Sequence, residues 1–129
     1  MRPSFKQLEE VKFRRLSEKL LVTKNELHRL LRRMEEREKA LRMKLERVAK
    51  VYGESSAQAL ELKRMLESIE ATKLSIERAI LKLERVENLE SILTVVAPVM
   101  GIFKSLSSKI SSIAPDISYS MLELVDHMY

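Results

Sequence analysis

The sequence predicts an all-α fold: a long antiparallel helical hairpin followed by two shorter helices that pack on it or extend it. Three observations lead there. Apolar residues recur at helical spacing through most of the chain. Only 2 glycines and 3 prolines punctuate 129 residues, too few turn-makers for a multi-stranded sheet. A third of the residues are charged and 45 % are apolar, a balance too hydrophobic for disorder and typical of long amphipathic helices. The length suits one domain.

The first arm is expected over residues 1–52. From Phe13 its apolar residues fall every seven positions, at Leu20, Leu27, Met34, Leu41 and Val48, with a companion row Leu16, Thr23, Leu30 that gives way to Arg37 and Lys44. Ser4 can cap the helix with its hydroxyl, and Pro3 suits the start. Tyr52 and Gly53 end it.

Residues 53–56, Gly53-Glu54-Ser55-Ser56, form the hairpin tip, with Gly53 as the breaker and either serine as the next cap. The second arm is expected over residues 57–96. Leu62, Met65, Ile69, Thr72, Ile76, Ala79, Leu83 and Val86 follow one another at steps of three and four without a fault. Two arms of similar length, each roughly 60 to 70 Å, would bury these stripes against each other.

Residues 97–129 are expected to form two short helices. Ile92, Val96, Val99, Phe103, Leu106, Ile110 and Ile113 make one apolar run, backed by serines and lysines from Lys104 to Ser112. This part should cover Leu21, Val22, Leu31, Leu60 and Leu74, which the hairpin seam leaves over. A proline inside a helix removes a hydrogen bond and kinks it, so Asn88, Pro98 and Gly101 mark a hinge. Ala114-Pro115-Asp116 precedes the last helix, whose apolar residues are Met121, Leu122, Leu124, Val125 and Met128.

Charge is unevenly placed. The net charge is +5, yet residues 1–50 hold 16 basic and 8 acidic side chains, residues 51–90 hold 6 and 8, and residues 91–129 hold 2 and 3. The basic excess therefore belongs to the first arm, where it attracts phosphates through a screened field. Arg14, Arg15, Lys24, Arg29, Arg32, Arg33 and Arg37 are the candidate contacts to an anionic surface. Acidic neighbours, in pairs such as Glu10/Arg14, answer part of this charge. The longest uncharged run, Ser91 to Phe103, is 13 residues, short of the ~20 that cross a bilayer as a helix. With no signal-peptide pattern, a cytoplasmic protein is expected.

Enzymatic chemistry has no foothold in these residues. There is no cysteine, and two glycines 48 positions apart cannot form a phosphate-binding loop. The two histidines, His28 and His127, lack carboxylates at the spacing of a bundle metal site. Adjacent carboxylates such as Glu35 and Glu36 point to different helix faces, whereas acid–base work needs convergent groups. No enzyme activity, metal, cofactor or small-molecule substrate is expected.

The order of features resembles the ESCRT-III family, and within it the archaeal cell-division, CdvB-like branch. The likeness rests on the basic first arm, Gly53 at the tip, the second arm opening Ala57, Ala59, Leu60, Glu61, Lys63, the stretch Leu83-Glu84-Arg85-Val86-Glu87-Asn88-Leu89, and Leu93-Thr94-Val95-Val96-Ala97-Pro98-Val99-Met100-Gly101. It covers about residues 10 to 128. The resemblance implies a subunit that polymerises, with itself or related subunits, on anionic membrane for remodelling or scission in cell division or vesicle budding. It implies peripheral membrane association, and second and third helices that separate in a closed subunit and merge in the polymer. It also implies an AAA-type ATPase as partner, expected here to act indirectly because no docking peptide follows the fourth helix. Two other classes stay open: a coiled-coil scaffold or adaptor, and a nucleic-acid-binding helical protein, whose arm would offer only Phe5 and Phe13 for stacking.

Overall fold

The computed structural model of the protein describes residue 2 and residues 4–128, so the expected role of Pro3 lies outside the described residues. Four helices follow in order: α1 (Phe5–Tyr52), α2 (Ala57–Glu84), α3 (Leu89–Ile110) and α4 (Pro115–Met128). The fold is all-α, with a long hairpin and two shorter helices packed on it, as the sequence predicts.

α1 starts where local chemistry favours it. The Ser4 hydroxyl accepts from the Gln7 amide while the Gln7 side chain accepts from the Ser4 amide, a reciprocal capping box. At the other end Gly53 has φ +98°, a conformation that L side chains rarely adopt, and its amide donates to Ala49. Ser56 caps α2 by accepting from the Ala59 amide. The tip thus lies between Tyr52 and Ala57.

The hairpin is antiparallel. Arg42 of α1 meets Glu70 of α2 at 2.6 Å, and Glu38, one turn earlier, meets Lys73 at 3.3 Å. Buried along α1 are Leu20, Leu27, Leu30, Met34 and Leu41, and along α2 Leu62, Ile69, Ile76, Ala79 and Leu83. Thr23 and Thr72 are buried on these stripes without cost, because each hydroxyl donates to the carbonyl four residues back.

α3 returns along α2, its last residues reaching the Met65–Ser68 level, and α4 runs antiparallel to α1, with Asp116 beside Arg37 and Met128 beside Thr23. Val99, Met100, Phe103 and Ile110 of α3 and Ile117, Met121 and Val125 of α4 are all but fully buried. Each such side chain contributes about 1.5–3 kcal/mol. Across the α3–α4 contact Ser107 and Ser118 are buried together: their hydroxyls lie 2.8 Å apart, and each donates to the other's carbonyl.

The structure corrects the expected boundaries. α2 ends at Glu84, not at residue 96, so the arms are unequal, 48 and 28 residues, or about 72 and 42 Å. The cause is Asn88, which sits extended at φ −150° and accepts from the Ser91 amide at 2.8 Å, starting a new helix before the apolar row can continue. Pro98 and Gly101 do not end a helix: both lie, exposed, inside the continuous α3, where Pro98 forgoes one intrahelical hydrogen bond. Of the three residues expected at the hinge, Asn88 alone stands at the chain turn.

Coverage of the hairpin also differs from expectation. Leu21, Val22, Leu60 and Leu74 remain exposed, Val22 at the rim of a groove between α1 and α4, and Leu31 is half-buried. The 13-residue uncharged run understates α3. Its charges, Glu90, Lys104 and Lys109, fall in its first and last two turns, so this 22-residue helix is long and apolar enough to cross a membrane by length and composition.

Candidate functional site

α1 is longer than α2, so its first turns run past the end of the second arm, where the α2–α3 connection accompanies them: Glu87, Asn88 and Leu89 line one cavity with Lys6, Glu9, Glu10 and Phe13. Glu84 lines a groove with His28 and Leu31, which leaves Arg14 and Arg15 about 20 Å further along the α1 axis. Both are exposed, and among the described residues neither forms an ion pair; the expected Glu10/Arg14 pair is not made.

The seven candidate basic residues separate into three directions around α1. At 100° per residue, Arg15, Arg29, Arg33 and Arg37 share one face, Arg14 and Arg32 share a second, and Lys24 stands apart. Arg32 is exposed and Lys24 half-buried, and neither forms an ion pair among the described residues. Arg14 to Arg37 span roughly 35 Å of helix. This is an extended charged surface, without the convergence of a pocket.

On the first face the structure supplies partners. Arg29 pairs with Glu26 at 2.6 Å. Arg33 donates to the Ser120 hydroxyl at 2.9 Å and to Asp116 at 3.0 Å, and Arg37 donates to the other Asp116 oxygen at 3.0 Å. Partial burial pushes the Asp116 carboxyl up, but the Arg33 hydrogen bond, the Arg37 charge and the amides of Ile117 and Asp116 outweigh it and hold the carboxyl below its usual range.

Beside this clasp runs a groove between α1 and α4 of about 360 Å³, lined by Val22, Glu26, Arg29, Arg33, Glu123 and His127 among others. Its charges nearly balance, and among the described residues no group of three or more His, Cys, Asp or Glu is placed to hold a metal ion. The groove marks where α4 sits on the basic arm.

The sequence reading missed Asp116, Ser120 and Glu123. Asp116 was read only as part of a break, and no local pattern links it to arginines some eighty positions earlier. One signal was available: Arg37 interrupts the companion apolar row of α1, and an arginine at a seam position needs an acceptor.

The remaining exposed apolar residues form rows. Leu60, Leu74 and Leu81 fall at multiples of seven along the outer side of α2, and all three are about half exposed or more. Leu21 and Met43 of α1 are also exposed, whereas Met121 is fully buried in the α4 contact.

The sequence is 29 % identical over 112 residues to a protein named Cell division protein B from Sulfolobus acidocaldarius, across 82 % of this chain and 42 % of that protein. The chain thus spans about two fifths of the relative's length. No protein-family profile matches the sequence, and no solved structure matches it.

Proposed function

We propose that the chain is an ESCRT-III-type subunit of the archaeal cell-division kind, a cytoplasmic protein that associates peripherally with anionic membrane and polymerises there to remodel it. The single observation that carries this is that Arg14 and Arg15, past the end of α2, stand exposed and without an ion-pair partner among the described residues. Each Lys or Arg held near an anionic surface is worth on the order of 1 kcal/mol. Arg32 and Lys24 add to the surface, and Arg29, Arg33 and Arg37 add to it less, being engaged by carboxylates. The similarity to Cell division protein B supports the cellular process.

Polymerisation draws its support from the outer row of α2. Leu60, Leu74 and Leu81 repeat along one side of α2 and stay about half exposed, Leu81 at the rim of the groove it shares with His28 and Leu31, and exposed apolar rows of this kind mark contact sites. A head-to-tail contact with a second copy or a related subunit gives an open filament. An AAA-type ATPase would take the polymer apart.

Co-sedimentation tests the membrane half of this reading. The protein should pellet with anionic vesicles, remain in solution with neutral ones, and be released by salt. Equal binding to neutral vesicles, or a preference for DNA or RNA over anionic vesicles at the same salt, contradicts it.

A further inference from the structure

We propose that the start of α1 in one copy docks on the outer face of α4 in the next, with Phe5, Leu8 and Val11 against Tyr119 and Leu122, and Lys12, Arg15 and Lys19 against Glu123 and Asp126. This rests on the polymer reading above and gives the assembly a second contact, matched in charge.

The face on α1 follows from spacing. At 100° per residue, Phe5, Leu8, Val11, Lys12, Arg15 and Lys19 fall within about 120° of the helix. All six are exposed, Phe5 to 76 %. No acidic residue of residues 5–19 falls inside that arc: Glu9 and Glu10 line the cavity at the α2–α3 connection, and Glu18 stands at the edge of the face. Lys12, Arg15 and Lys19 form no ion pair among the described residues.

α4 carries the complement. It contains no Lys or Arg, and Tyr119, Leu122, Glu123 and Asp126 fall within about 100° on its outer side. All four are exposed, Tyr119 to 64 %. Asp116 is answered by Arg33 and Arg37, but Glu123 and Asp126 form no ion pair among the described residues. The Tyr119 phenol registers that negative charge: the hydrogen bond to Glu123, the Glu123 charge and the Asp126 charge hold it above its ordinary value.

The two faces cannot meet within one protomer. α4 runs antiparallel along α1 from Arg37 to Thr23, so its outer face points away from α1, and residues 5–19 lie beyond its end. Each copy therefore offers one face of each sign, both roughly 20 Å long. An anionic membrane attracts the first face and repels the second, whereas another copy answers both. Because the two surfaces differ, the contact is heterologous and need not close.

Sedimentation velocity of the full chain without lipid reads the contact. Self-association of the wild type should strengthen as salt is lowered. Lys12→Glu with Lys19→Glu should weaken it roughly tenfold or more, and so should Leu122→Lys with Asp126→Lys. Leu122 and Asp126 do not line the groove between α1 and α4, so α4 keeps its seat. All four substitutions in one chain exchange the signs and should recover association to within about threefold of the wild type. The chain has no native cysteine, so single-cysteine chains give a second measurement. Leu8→Cys and Leu122→Cys chains, mixed in equal amounts and joined by a short bis-maleimide, should give the mixed adduct in excess over either like pair. The same excess is expected on vesicles of phosphatidylcholine and phosphatidylglycerol. Association that both pairs of substitutions leave unchanged, or a polymer without the mixed adduct, overturns this contact and leaves the polymer reading intact. Unchanged association with weaker vesicle binding in Lys12→Glu, Lys19→Glu assigns the α1 face to lipid and overturns it as well. A protein that stays monomeric both in solution and on vesicles overturns both.

Discussion

Arg37 of α1 and Asp116 of α4 are joined by a 3.0 Å ion pair at the point where the apolar row of the first arm gives out. The other carboxylate oxygen takes Arg33, also at 3.0 Å. One side chain on α4 thus answers two of the arginines that make the arm basic. The carboxylate also lies in the first turn of α4, where the helix dipole favours a negative charge.

Asp116→Asn should therefore loosen α4 without unfolding the hairpin. Both pairs are partly exposed to solvent, so each is worth about 0.2–1 kcal/mol after screening. Hydrogen exchange should speed up in α4 and stay slow in the middle of α1 and α2.

Acid should reproduce that effect in the wild-type protein. A carboxyl held below its usual range stabilises the fold above about pH 4, the ordinary aspartate value, and its contribution is lost as the pH falls through the lowered folded-state value. The protection of α4 amides, taken relative to their intrinsic exchange rate at each pH, should fall between pH 5 and the acid limit in the wild type and change less in Asp116→Asn. Identical profiles would mean that Asp116 does not hold α4.

Asn88 at the chain turn and Gly101 inside α3 should respond oppositely to alanine. Asn88→Ala removes a cap and should destabilise by about 1 kcal/mol. Gly101→Ala should stabilise by about 0.5–1 kcal/mol, because the helix gains propensity and the new methyl meets no atom within 4 Å. Chemical denaturation reads both. A loss of stability in Gly101→Ala would mean that α3 bends there.

Buried and exposed methionines give a clean contrast. Met121→Ala should cost about 2–5 kcal/mol, since that side chain is fully enclosed, whereas Met43→Ala, 62 % exposed, should change stability by less than about 0.5 kcal/mol. Thermal melts compare the two.

Much of this fold could be read from spacing. The rows from Leu20 to Leu41, Leu62 to Leu83 and Val99 to Ile110 are the buried rows of α1, α2 and α3, because burial on a helix follows period alone. The end of α2 could not be read the same way. Val86 continues the apolar row, and the decision falls to Asn88, whose cap competes with a continuing helix by only about 1 kcal/mol. Pro98 could not be placed from sequence for a related reason: a proline in a helix interior loses one hydrogen bond within its own helix, and α3 continues through it all the same. Part of the candidate surface was legible as charge, but which arginines stay unpaired depends on Asp116, which only the packing of α4 brings near.

Electron microscopy of the purified protein with and without anionic vesicles tests the central claim most directly. Filaments or ordered coats should appear on anionic vesicles and be absent from neutral ones, and reversing Arg14, Arg15 and Arg32 to Glu should remove them while the fold persists. A protein that stays monomeric and leaves the anionic vesicles bare and unchanged contradicts the account.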